Sequence, residues 1–378
     1  MIYLDNAATT YPKPVVVQNA MSHALKYYGA NPGRAGHDMS MAAAEEIYRC
    51  RTAAADFFHA PGPECIAFTL NCTHAMNYVL KGLLKPGDHV VTSCLEHNAV
   101  MRPLQALSEK GVTFTIAQVF PGDNDATVDS FRKAINAGTK LIVCTHASNV
   151  WGIRLPVERI AALGHQYGVP IVVDCAQTAG VLPIDMAENG LDYLCIAGHK
   201  GLYAPMGTGM LITPNGSDLA TIIEGGTGTN SISLTQPPTM PDRMESGTQN
   251  MPGIAGLRAG IEFVKSRTTE TIYKHEMELI QYLYRQLSGM KGIKLYTSEP
   301  VIPYLAPVLS FNVGDMPSEV VAQKLNARGI AVRAGLHCAP VAHEFMGTIK
   351  QGTVRVCPSL FSNMNEMHTF ALSLMKII

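Results

Sequence analysis

The chain carries little charge and no bias in its sign. Only 16% of its 378 residues are charged, and 29 basic against 30 acidic residues leave a formal net charge of −1. That excludes a bulk field for nucleic acid or a membrane surface, so any anion must be held by a local site. Paired cysteine spacing of the metal-binding kind is missing. The nine cysteines, an odd number, are scattered, which argues for free thiols in a reducing compartment rather than a disulfide framework. No uncharged run reaches membrane-spanning length. The opening Met-Ile-Tyr-Leu-Asp-Asn lacks the basic-then-apolar pattern of a secretory leader. Internal repeats and low-complexity tracts are absent as well. The expectation is a soluble cytoplasmic protein with no metal, nucleic-acid or membrane partner.

What is present is a large apolar fraction, 47%, enough for a substantial core and for two domains. Residues 1–14 read as a polar arm, with Pro12 and Pro14 blocking helix. Gly29 to Gly36, with Asn31 and Arg34 among its residues, reads as a loop. Ser40–Phe58 reads as an amphipathic helix. Strands are expected at Ile66–Thr69, His89–Ser93, Val112–Ala117, Lys140–Thr145, Val169–Asp174, Asp192–Ala197 and Gly209–Thr213. Helical patterns lie between them at Thr73–Leu84, Asn98–Lys110, Val128–Asn136 and Val157–Tyr167. Such alternation predicts an α/β fold with a mostly parallel sheet covered on both faces. Helices at Gly253–Val264 and Thr271–Met290 lead into a smaller C-terminal α+β part. Its strands fall near Lys294–Thr297, Val308–Val313, Ile330–Arg333 and Thr353–Val356, and Asn365–Ile378 closes it as a helix. The expected division is an arm at 1–14, a large domain at 15–265 and a small domain at 266–378.

Two stretches organise the rest. The run Tyr193-Leu-Cys-Ile-Ala turns through Gly198 into His199 and Lys200, and a Gly/Pro-rich loop then returns to Met210-Leu-Ile. A lysine buried at a strand end loses its charge easily and becomes a nucleophile toward an aldehyde. Upstream, Gly168-Val-Pro-Ile-Val-Val-Asp174 is a continuous apolar run ending in an acid, followed by Cys-Ala-Gln177. Ligands in parallel sheets bind outside the carboxyl ends of strands, where Asp174 would lie. An exposed turn lysine and a capping aspartate would read the same way taken singly. Together, a lysine to bond an aldehyde and an acid to pair with a pyridinium nitrogen suit pyridoxal 5'-phosphate.

The chain resembles the class V aminotransferase family, and within it the cysteine desulfurases. The matching stretches are Tyr3-Leu-Asp-Asn-Ala-Ala-Thr-Thr10, Cys72-Thr-His, Glu96-His97-Asn98, Ser148-Asn149-Val, Val173-Asp174-Cys-Ala-Gln177, Gly198-His-Lys200, Glu245-Ser-Gly-Thr248 and Arg333-Ala-Gly-Leu-His-Cys338-Ala. Each is weak alone, but in family order across nearly the whole chain they are specific. The resemblance implies a pyridoxal phosphate-dependent transferase of fold type I, a homodimer that takes L-cysteine to L-alanine and keeps the sulfur as an enzyme persulfide.

Roles follow by position. The resemblance places the cofactor phosphate at Cys72, Thr73 and His74, where the amides of a helix start favour an anion, with His199 also on it. The family often has a hydroxyl residue at Cys72 and usually one at Ala197, so those hydrogen bonds are missing or replaced here. Gly247 and Thr248 are implied to reach the phosphate of the other subunit. His97 would stack on the ring and relay a proton. Asn149 and Gln177 would face the ring hydroxyl, Asp174 its nitrogen, and Lys200 would carry the cofactor and move the substrate α-proton. Arg355 would clamp the substrate carboxylate in two bonds, with Arg333, Asn149 and Ala8 beside it. Cys338 would accept the sulfur, with Arg333 and His337 nearby to favour its thiolate. Its Leu-His-Cys-Ala surroundings resemble the group II form, whose members often pass sulfur to an acceptor protein. Selenocysteine lyase and small amino-acid transaminase remain open within the fold. From another class, so does a pyridoxal phosphate-binding sulfur-transfer partner with little turnover.

Overall fold

The computed structural model describes residues 1–32 and 36–378. Part of the expected loop at 29–36 therefore lies outside the described residues. The centre of the molecule is a seven-stranded sheet of β2 (Ile66–Thr69), β3 (His89–Ser93), β4 (Thr113–Ala117), β5 (Thr139–Thr145), β6 (Ile171–Asp174), β7 (Tyr193–Ala197) and β8 (Gly209–Ile212). Their order is β2-β8-β7-β6-β5-β3-β4, parallel throughout except that β8 runs antiparallel to both its neighbours. The middle strands are buried along their whole length because helices cover both faces. Edge strand β4 instead alternates between more and less exposed residues, as a strand with one wet face does.

Helices α3 (Cys72–Leu83), α4 (Asn98–Ser108), α5 (Asn124–Ala134) and α6 (Val157–Gln166) form the crossovers, and α1 (Val15–Tyr27) and α2 (Asp38–Phe58) pack on α7 (Met251–Arg267). Two apolar cores result, one on each face of the sheet. A third lies under α8 (Thr269–Ser288), α9 (Ser318–Asn326) and α11 (Met364–Met375), against a four-stranded sheet of order β12-β13-β10-β9. Those strands are β9 (Ile293–Leu295), β10 (Leu309–Val313), β12 (Arg333–Gly335) and β13 (Thr353–Val356), and the short α10 (Pro340–Phe345) follows β12. The N-terminal arm is not free. Its strand β1 (Ile2–Tyr3) pairs in parallel with β11 (Ile330–Ala331), and Leu4 joins the third core.

The expected strands of the main sheet are all present, within two residues at each end. Helices α1, α9 and α10 are additional. α1 hides from sequence reading because its outer face carries exposed Val15, Val16 and Leu25, which blur the apolar stripe.

Close backbone approaches set the geometry that follows. A Cβ on Gly209 would lie 2.7 Å from Asn71 Cα, so glycine lets the start of α3 press against β8. A Cβ on Gly201 would lie 2.4 Å from Ala179 O, and one on Gly180, at φ +85°, 2.3 Å from Gly201 O. Only glycines allow the turn after Lys200 to touch the turn after Asp174.

A buried ion pair ties the segment at 245–248 to this frame. Arg51 on α2 makes two bonds to Glu245, at 2.8 and 2.5 Å, and also donates to Ile66 O. Glu245 accepts the Phe68 amide at 2.6 Å. Breaking such a pair on one side leaves an uncompensated buried charge. Arg51→Met should lower unfolding free energy in urea by about 3–5 kcal/mol. The double change Arg51→Met with Glu245→Leu should recover most of that loss, whereas equal losses would mean that the pair is effectively hydrated.

Candidate active site

A cavity of about 300 Å³ opens at the carboxyl ends of β5, β6 and β7. Lys200 lies just past β7, Asp174 ends β6, and the register places Asp174 beside Cys195 on β7. Both side chains line the cavity, together with Ala8, His97, Asn149, Gln177, His199, Arg333, Cys338 and Arg355. Two candidates expected at the phosphate, Cys72 and Thr73, line it as well.

Lys200 is accessible only in part, and burial pulls its pKa below that of an ordinary lysine, opposed chiefly by Asp174. The neutral amine is therefore easier to reach than on a surface lysine. The turn that carries it is held by the N-terminal arm. His199 O accepts from Lys13 Nζ at 2.7 Å, Thr9 Oγ1 at 3.0 Å and Thr10 N at 3.2 Å, while Thr10 Oγ1 donates to Lys200 O at 2.9 Å. Sequence reasoning assigned no role to Thr9, Thr10 or Lys13, although the first two lie inside a recognised motif.

Asp174 is 4% exposed. Its Oδ1 accepts the Ala176 amide at 2.9 Å and the Cys72 thiol at 3.3 Å. The Cys72 side chain is thus turned to the aspartate and to Cys195 O, as suits a position where the usual hydroxyl contact to a phosphate is missing. Burial pushes the Cys72 thiol well up, so it stays a donor. His74 departs further. Its amide is used by the Asn71 cap at 2.9 Å, and its ring stacks on Tyr78 and lines a separate cavity. The cap bond occupies the His74 amide, and the ring is held apart from the cavity by its stack on Tyr78 and by the Leu70 amide on its Nδ1.

His97 caps α4, its Nδ1 accepting the Ala99 amide at 2.9 Å. That bond leaves the proton on Nε2 in the neutral ring. Burial lowers its pKa to about 4, so the ring is neutral near neutral pH. The preceding Glu96 is buried, accepts Thr145 N at 2.9 Å and the Ser93 hydroxyl, and is pushed up to about 8 by burial. It pins the His97 turn to β5.

Arg355, 2% exposed, bonds Asn149 O at 3.0 Å and Asp5 at 2.9 Å. Asp5 joins the site from the far end of the chain and had no assigned role. Asn149 Nδ2 donates to His337 O at 2.8 Å, and Asn98 N donates to Cys338 O at 2.7 Å. These two bonds hold a tip in which His337 and Cys338 both have left-handed φ, +50° and +57°, a conformation that costs energy for non-glycine residues. Cys338 is exposed, and the other eight cysteines are buried. The expectation that His337 would supply positive charge is corrected. Its Nε2 faces Thr353 O at 3.0 Å, and burial drives its pKa well below the usual value, so it is neutral.

Gly247 and Thr248 do not line this cavity. Both border a separate space with Arg51 and Thr227, and Thr248 also borders the one beside His74.

The cavity has unmet polar demand. Among the described residues, buried side-chain atoms without a hydrogen-bond partner include His199 Nδ1, Asn149 Oδ1, His337 Nδ1 and Arg355 Nε, all on residues that line it. Buried polar atoms are ordinarily satisfied. A small ligand that offers both anionic oxygens, for Arg355 Nε and His199 Nδ1, and a hydroxyl or amine donor, for Asn149 Oδ1, suits this mixed set of donors and acceptors, and pyridoxal phosphate with its substrate has both.

A mostly parallel sheet with a lysine and an acid at its carboxyl edge, met there by an arginine from a strand of a smaller α+β part, is the fold type I architecture of pyridoxal phosphate-dependent transferases. Within that class the chain belongs to the class-V aminotransferase family, whose model matches residues 2–370. It is 34% identical over 389 residues to a protein of Mycolicibacterium paratuberculosis named a probable cysteine desulfurase. That match covers 100% of this chain and 55% of the relative, so the chain spans about half of that protein's length. A protein of the same name from Methanothermobacter thermautotrophicus is 33% identical over 385 residues, with 100% and 94% covered. The apo structure of a cysteine desulfurase from Thermococcus onnurineus NA1 superposes with a TM-score of 0.93 at 30% identity, covering 100% of this chain and 94% of that one.

Proposed function

We propose that this chain is a cysteine desulfurase that uses pyridoxal 5'-phosphate to take L-cysteine to L-alanine and keeps the sulfur as a persulfide on Cys338. The observation that carries this reading is the placement of the one exposed cysteine of nine on the wall of the cavity that holds Lys200 and Asp174. When bound, the cofactor supplies an electron sink for the substrate α-carbon. Lys200 Nζ holds it and moves the α-proton, its lowered pKa favouring the base form. Asp174 would pair with the ring nitrogen, and His97, its Nδ1 held by the Ala99 amide, would stack on the ring. Arg355 takes the substrate carboxylate, with its unpartnered Nε as one donor. The Cys338 thiolate attacks the substrate sulfur. A new S–S bond forms as the C–S bond breaks, its electron pair stays on carbon, and a proton added there completes alanine.

Further parts of the reading rest on the same residues. Thr248 and Gly247 lie off this cavity, which fits a role across a homodimer interface at the partner's phosphate. The exposure of Cys338 fits delivery of sulfur to an acceptor protein. The separate third core fits a small domain at 266–378 beside a large one at 15–265, with residues 1–14 as an arm that joins them. Among the described residues no helix is long and apolar enough to cross a membrane, in keeping with a cytoplasmic enzyme.

The test is an assay of alanine and sulfide released from L-cysteine under reductant, with and without an added keto acid. Equal amounts of both, independent of the keto acid, are expected. Turnover that requires the keto acid would make the protein a transaminase. Activity confined to selenocysteine would make it a lyase, and a colourless protein without turnover would leave only a sulfur-transfer partner.

A further inference from the structure

The tip that carries Cys338 is held by a ring as well as by its backbone. Only residues 336–339 lie between β12 and α10, and Ala339 N donates to Leu336 O at 2.9 Å, closing a turn around His337 and Cys338. Both central residues have left-handed φ, +50° and +57°. A turn of that hand is ordinarily filled by Asn-Gly or Asp-Gly. Strain of this kind persists only where the surroundings over-determine it.

The surroundings converge on His337. Its Nε2 lies 3.0 Å from Thr353 O and 3.3 Å from Thr353 Oγ1. A carbonyl oxygen can only accept, so Nε2 carries the proton. The ring is stacked on His343 of α10, with centroids 5.8 Å apart and planes 27° apart. His343 is fixed in turn, its Nδ1 2.7 Å from Thr348 Oγ1 and its ring 5.3 Å from that of Trp151. Trp151 Nε1 closes the brace by donating to Ala342 O at 3.0 Å. All three rings belong to buried residues.

We propose that His337 is the positioning residue of the sulfur acceptor: its ring pins the left-handed turn to β13, the strand that carries Arg355, and so sets the Cys338 thiol at a fixed offset from the substrate clamp. The proposal deepens the desulfurase reading and rests on it. Thr353 and Arg355 are two apart on β13 and share a face. The His337 carbonyl is tied to the same arginine by a second route. Asn149 Nδ2 donates to it at 2.8 Å, and Asn149 O accepts from Arg355 at 3.0 Å. Ring and carbonyl of one residue are thus both referred to Arg355. Cysteine is short, so a substrate gripped by its carboxylate offers its sulfur in a narrow zone. A misplacement of about 1 Å at the attacking thiol is then costly. The Nε2 proton is committed to Thr353 O, so the ring holds the tip and has no proton to donate to the reaction.

Two variants separate the ring from the turn. His337→Gly suits a left-handed backbone and removes the ring. His337→Gln keeps a planar N–H donor on a side chain long enough to take the place of Nε2. Loaded with pyridoxal phosphate, both should hold the cofactor and change colour with L-cysteine as wild type does, with KM unchanged. In His337→Gly, kcat for alanine release and the rate of persulfide formation on Cys338 should fall on the order of tenfold to a hundredfold. His337→Gln should recover several-fold of that loss. A general loss of folding would lower cofactor uptake and the colour change together, and would not split kcat from KM. The idea fails if His337→Gly turns over like wild type, if its cofactor uptake and colour change fall in step with kcat, or if His337→Gln does no better. If Cys338→Ser protein makes alanine from cysteine at the wild-type rate, the parent reading and this one fall together; a wild-type rate in His337→Gly sinks only this one.

Discussion

Cys338→Ser protein, loaded with pyridoxal phosphate, stays yellow, changes colour on addition of L-cysteine, and loses nearly all of its alanine release. The carbon chemistry needs Lys200, the ring and Arg355, none of which the substitution touches. Sulfur removal needs a separate nucleophile, and serine at ordinary pH is a far weaker one than a thiolate. The tip that carries Cys338 is fixed by backbone contacts, Asn98 N to Cys338 O and Asn149 Nδ2 to His337 O, which any side chain leaves in place. The loss should therefore be chemical rather than structural. Alanine release should fall on the order of a hundredfold or more, and mass spectrometry should find no persulfide. Release from selenocysteine should survive in part, because selenium leaves carbon more readily. If the serine protein makes alanine from cysteine at the wild-type rate, Cys338 is structural and the function falls to a lyase or transaminase.

The main sheet was legible because buried parallel strands are near-continuous apolar runs bounded by turns, as at Ile171–Asp174 and Tyr193–Ala197. The sites of Lys200 and Asp174 followed, since both close such runs. What stayed hidden is what depends on contacts between distant elements. The Cys72 thiol meets Asp174 only because α3 is drawn against the sheet through Gly209. Asp5 reaches Arg355 across nearly the whole chain length, through an arm that looks unstructured in sequence. His74 lies off the cavity for a different reason. Its position at a helix start is correct, but the Asn71 cap had already taken its amide. Position in a motif indicates which backbone is near a site, and the local hydrogen bonds decide which side chain faces it.

The same distinction sharpens the test of the lysine. Two lysines lie at this turn, Lys200 on the cavity and Lys13 on the arm, and both are desolvated: burial lowers Lys13 to about 8 and pulls Lys200 down as well. A reactive neutral amine is thus available on either, and pKa alone does not choose between them. Geometry does. Lys13 Nζ is tied to His199 O at 2.7 Å and Thr10 Oγ1 at 2.8 Å, outside the cavity wall, whereas Lys200 lines the wall with Asp174 and Arg355. Borohydride treatment of the loaded protein should bleach the visible band and fix the cofactor on Lys200, with none on Lys13. Lys200→Ala should leave no covalent adduct and lower alanine release on the order of a thousandfold or more, as loss of both the anchor and the base implies. Lys13→Met should still form the adduct at Lys200, because only the support of His199 O is lost. An adduct mapped to Lys13, or one that persists undiminished in Lys200→Ala, would place the reacting amine on the arm and overturn the site described here.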